Sequence, residues 1–143
     1  MKRILVLGAC MMIFSVATLF ACEFNYTLVD ASGRSMQVTP SQPMVLKLGE
    51  SYSFEISFYE DHRNCVVPPS DTLFMLDGAR WRPLRDSQGL VLSGAMEWKE
   101  HSSRLNTGVT SFTALLPGTY SLEVMRVCDR GGYTAELIFA VPG

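Results

Sequence analysis

Ser51-Tyr52-Ser53-Phe54-Glu55-Ile56-Ser57-Phe58-Tyr59 alternates large apolar side chains with serine or glutamate, and it leaves this chain few ways to fold. A period of two belongs to a strand with one face in the core and one in water. Full burial of Tyr52, Phe54, Ile56 and Phe58 is worth roughly 1.5 to 3 kcal/mol each, but only if a second layer covers them. The strand therefore demands an opposing sheet.

The same period recurs along the chain. Phe24, Tyr26 and Leu28 share one parity before the turn Asp30-Ala31-Ser32-Gly33-Arg34. Met36 to Val38 and Met44 to Leu48 are strand pieces, and Pro40 and Pro43 confine them to a sheet edge. Thr72 to Leu76 precedes the Asp77-Gly78 turn signal. Gln88 to Lys99 reads as a strand with a bulge at Gly94, because Leu90, Leu92, Met96 and Trp98 keep parity through it. Thr110, Phe112, Ala114 and Leu116 lead to Pro117-Gly118; Tyr120, Leu122 and Val124 alternate next; Tyr133, Ala135, Leu137, Phe139 and Val141 close the series. No segment shows a helical period. Short strands with regular turn signals predict an all-β, two-sheet sandwich of seven or eight strands.

Residues 1–21 differ in kind. Lys2 and Arg3 precede an uncharged apolar run from Ile4 to Phe20, the pattern of a secretory signal peptide, with residues 22–143 as the single mature domain. A membrane-spanning helix is the alternative, but the run is barely long enough. Leu19-Phe20-Ala21-Cys22 resembles the lipobox of bacterial lipoproteins, with Phe20 departing from the pattern. The resemblance implies acylation of Cys22 and a membrane anchor. Cleavage after Ala17 or Ala21 would instead release the domain. Glu23, in place of the aspartate that retains such lipoproteins at the inner membrane, points to the outer membrane. Without Lys2 and Arg3, ten of the 12 lysines and arginines remain against 14 acidic residues, a formal net charge of −4 that suits neither nucleic acid nor an anionic membrane surface.

Once Cys22 is lipidated, Cys65 and Cys128 remain, and an oxidising compartment favours their pairing. Each follows a regular strand. The bridge would tie two loops at one pole, making Glu60, Asp61, His62, Arg63, Asn64, Asp71, Asp129 and Arg130 the candidate binding residues, with a protein partner expected there. Other chemistries compete at the same place. His62, Cys65 and Cys128, with His101 or Met125, form a soft metal-ligand set. Glu60, Asp61, Asp71 and Asp129 form a set of carboxylates suited to calcium, without the spacing of a calcium loop. Arg80, Arg82 and Arg85 around Trp81 read as stacked guanidinium groups on a solvated strand, or as an anion patch. Asn25-Tyr26-Thr27 is a formal glycosylation sequon that a bacterial signal leaves unused.

Gly118-Thr119-Tyr120 resembles the start of strand F in immunoglobulin-like domains, where a tyrosine pins the corner. Cys128 departs from antibody-type domains, whose second cysteine lies two residues beyond that tyrosine. The order of parts from about Met44 to Val141 is similar to chagasin-type cysteine-protease inhibitors, but the three inhibitory loop motifs are missing, and architecture alone does not carry activity. The sequence holds no nucleophile elbow, phosphate-binding loop or zinc-protease helix. No catalytic residue and no cofactor is assigned, so the expectation is a binding or accessory domain, with protease inhibition and metal binding as alternatives.

Overall fold

The computed structural model describes residues 22–60, 67–76, 79–81, 88–102, 104–127 and 132–143, and among them the regular structure is almost wholly β. One sheet has the order β2(Ser35–Val38), β1(Cys22–Asp30), β4(Ser51–Glu60), β9(Leu105–Ala114), with β7(Leu90–Leu92) and β8(Glu97–Glu100) both on the far side of β9. The other has the order β3(Pro43–Val45), β11(Tyr133–Val141), β10(Gly118–Arg126), β5(Leu73–Leu76), β6(Ala79–Trp81). Eight of these strands have four residues or more, and the remaining three are three-residue edge or near-edge pieces. In the immunoglobulin arrangement β1, β4, β9 and β7/β8 correspond to A, B, E and D, while β5, β10 and β11 correspond to C, F and G. The chain is an all-β two-sheet sandwich of that topology.

Burial follows the period of two. Tyr52, Phe54, Ile56 and Phe58 of β4 are buried, and they face Leu122, Val124, Leu137 and Phe139 of the opposing sheet within one core. Phe54 meets Phe139 edge to face at 6.3 Å, and Phe139 meets Phe112 at 5.7 Å, so aromatic contacts cross between the sheets.

The edges are short or broken. β3 begins at Pro43 and pairs in parallel with β11, as expected of a proline-bounded edge. The segment expected as one bulged strand is β7 and β8, both antiparallel to β9. Leu92 pairs with Phe112 but Glu97 with Val109, so two extra residues accumulate between them. Thr110 Oγ1 donates to the Gly94 carbonyl at 3.0 Å and holds the bulge. Trp98 lies over Gly108, where an added Cβ would come within 2.9 Å of its ring.

At the β9-to-β10 corner the Tyr120 hydroxyl donates to the Leu116 carbonyl at 2.8 Å, the pinning that the sequence resemblance implied. Gly89 lies against this ring so closely that any Cβ would overlap it. At the same end the Asp30 carboxylate closes the β1–β2 hairpin: Oδ1 accepts from the Ser32 hydroxyl, the Ser32 N–H and the Arg34 N–H, and Oδ2 accepts from Arg34 Nε. These bonds, led by that of the Ser32 hydroxyl, lower the Asp30 carboxyl from 3.8 to about 2.

Two expectations follow. Phe54→Ala should cost about 3 to 5 kcal/mol and Tyr120→Phe about 1, whereas Ser53→Ala on the outer face should stay within roughly 0.5 kcal/mol, all read from urea midpoints. Equal losses at Phe54 and Ser53 would contradict the assigned faces. The Asp30 pKa is depressed on folding, so its stabilisation is present above the unfolded value of 3.8 and disappears as pH falls toward about 2. Urea midpoints of Asp30→Asn should vary less with pH over that acid range than those of the parent.

Candidate functional site: the pole around Arg126

β10 carries its apolar parity from Leu122 through Val124 and ends it on an arginine. Arg126 is 1% exposed. Its Nη1 donates to the Pro68 carbonyl at 3.0 Å and its Nη2 to the Val67 carbonyl. The guanidinium carbon lies 4.2 Å from the centre of the Phe58 ring, and Nη2 is 3.8 Å from Glu60 Oε1. A planar cation with several donors suits this position, because one face can stack while the edge bonds to two carbonyls.

Those carbonyls belong to the crossing from β4 to β5. Pro68 and Pro69 have no N–H to give a ladder, so this part of the chain cannot be held as a strand. A single 3-10 turn, Pro69–Asp71, follows instead, with the Asp71 N–H on the Pro68 carbonyl and the Thr72 N–H and hydroxyl both on the Pro69 carbonyl. Thr72 is fully buried. Arg126 thus fastens the crossing between sheets to the end of β10.

Beneath the guanidinium is a stack of rings. Phe24 lies 4.7 Å from Phe58 and 4.4 Å from Tyr133, and the Tyr26 hydroxyl donates to the Tyr133 hydroxyl at 3.3 Å. Burial raises both tyrosines above their ordinary values, so both remain neutral donors and acceptors. Gly132 passes so close to Arg126 that a Cβ would come within 2.9 Å of its carbonyl oxygen. The strand register completes the picture: Cys22 pairs with Glu60, Arg126 with Tyr133, Met125 with Leu73 and Glu100 with Asn106. All these strand ends share one pole.

The candidate residues of the sequence fall out unevenly over this pole. Glu60 was expected in a charged loop, but it is the last residue of β4, turned inward and 8% exposed, with its carboxylate beside Arg126. Inward parity explains the difference. Asp71 is partly buried at the end of the 3-10 turn. His101 is exposed, with Nε2 2.8 Å from the Thr107 hydroxyl, and Met125 is partly buried on the opposite parity to Arg126, beside Leu73 and Met75. Asp61, His62, Arg63, Asn64, Cys65, Cys128, Asp129, Arg130, Arg82 and Arg85 lie outside the described residues. Among the described residues no three histidines, cysteines or carboxylates are grouped as metal ligands would be. The sequence reading passed over Arg126, although the parity of Leu122 and Val124 already directed it inward.

No protein-family model matches this chain, and no curated protein matches it.

Removing one member of a buried charged assembly leaves the others unsatisfied, so Arg126→Ala should cost about 3 to 5 kcal/mol. Lysine has no planar fork to span both carbonyls while stacking on Phe58, so Arg126→Lys should recover less than half of that loss. Hydrogen exchange at Asp71 and Thr72 should accelerate in both variants. Unchanged protection there would show that Arg126 does not hold the crossing.

Proposed function

We propose that this chain is a lipid-anchored extracytoplasmic binding or accessory domain whose working surface is the pole around Arg126. The observation that carries the reading is in the sequence: the uncharged apolar run from Ile4 to Phe20 ends on the lipobox-like Leu19-Phe20-Ala21-Cys22, directly before the alternation of Phe24, Tyr26 and Leu28. The change from uncharged apolar run to alternating strand falls on the residue that would be acylated.

The pole favours binding over catalysis. Arg126 fixes the Val67–Asp71 segment to the sheet ends, so the chain beside it is ordered before any partner arrives, which lowers the entropy lost on association. A bridge between Cys65 and Cys128 would reinforce the same connection, since each cysteine lies a few residues beyond Glu60 or Arg126. The Tyr26 and Tyr133 hydroxyls, bonded to each other and raised above their ordinary values by burial, are neutral structural groups.

Cys22→Ala should move the protein from the membrane fraction to the soluble extracytoplasmic fraction, and the parent's intact mass should exceed that of residues 22–143 by its acyl chains. A parent that is soluble and unacylated would remove the anchor from this reading.

A further inference from the structure

If Cys22 carries the lipid, no linker separates that lipid from the fold. Cys22 is already paired with Glu60, and Phe24, two residues on, is stacked on Phe58 and Tyr133. At most Cys22 and Glu23 can peel away, and two extended residues reach about 7 Å. A domain on so short a tether cannot turn its far end toward the membrane.

We propose that the pole around Arg126 lies against the bilayer, so that the partner of this surface is the lipid surface itself rather than a soluble protein. The inference rests on the lipid-anchor reading above. Val127 follows Arg126 and is 62% exposed, which marks this pole. The mature chain's net charge of −4 gives no general attraction to anionic headgroups, so the orientation comes from the tether. β1 and β4 run the length of the sandwich, which puts the opposite pole about 30 Å away. Leu48 marks that far end: it is 49% exposed and precedes Gly49, whose N–H bonds to the Ala114 carbonyl at the end of β9.

The test uses the full-length acylated protein in phosphatidylcholine vesicles whose acyl chains carry bromine near the headgroup. Tryptophan is introduced at exposed positions as Val127→Trp or Leu48→Trp, and the emission of the parent, which has Trp81 and Trp98, is subtracted. With about 30 Å between the two sites, the lipid should quench the tryptophan at 127 at least about twofold more than that at 48. A flexible Gly/Ser insert of about ten residues between Cys22 and Glu23 should abolish the difference. Equal quenching at the two sites, or stronger quenching at 48, in protein whose intact mass shows acylation would overturn the orientation while leaving the anchor standing. An intact mass without acyl chains would overturn the anchor, and the orientation with it.

Discussion

The sandwich depends on one chain of ring contacts that crosses between its sheets. Phe24 stacks on Phe58 and on Tyr133 of the opposing sheet; Tyr26 lies parallel to Phe54; Phe54 meets Phe139 edge to face; Phe139 leads to Phe112 and Phe112 to Tyr52. Apart from Phe24 on Tyr26 within β1, every link joins neighbouring strands or facing sheets. Because strand side chains alternate, a one-residue slip of β4 would turn Tyr52, Phe54, Ile56 and Phe58 to water together. The register of β1 on β4, and so the meeting of Cys22 with Glu60, is fixed by this core.

At one end that core terminates on a cation instead of a hydrocarbon. Burying a guanidinium carries a large desolvation cost, offset here by two carbonyls, a ring face and a nearby carboxylate. An apolar residue could fill the space, yet it could not bond to Val67 and Pro68, whose carbonyls face the end of β10. The proline-rich crossing and the buried arginine therefore require each other. Glu60 belongs to the same arrangement, with its carboxylate 3.8 Å from Nη2, and Tyr133, the register partner of Arg126, stacks on Phe24 beneath Phe58.

Much of this was legible in the sequence because the relevant physics is local. The faces of β4, β10 and β11 follow from parity, and the corner at Tyr120 from Gly118-Thr119-Tyr120. The proline-bounded edge at β3 and the interruption near Gly94 also follow from residue type. What the sequence hid is pairing between distant segments. Nothing in Cys22-Glu23-Phe24 says that it lies beside Tyr59-Glu60, and nothing in Val67-Pro68 says that its carbonyls need a donor from β10. Glu60 and Arg126 were obscured for a further reason: parity sends both inward, whereas a charged side chain at a strand end ordinarily reaches solvent. The Glu60 carboxylate 3.8 Å from Arg126 Nη2 offsets part of the cost of burying each.

Immunoglobulin-type sandwiches expose two sets of loops at opposite poles, and the same core can present either set. Which set is free in a tethered domain depends on where the tether joins. A tether through a long flexible segment leaves both poles accessible, because the domain can turn over. If Cys22 carries the tether, as proposed, the joining residue is itself a rung of the β1–β4 ladder, and the next inward residue, Phe24, is held between Phe58 and Tyr133. Detaching enough chain to let the domain invert would require withdrawing Phe24 from that stack, and then Tyr26 from its bond to Tyr133. The packing that stabilises the fold is thus also what would transmit the anchor's direction to the whole sandwich.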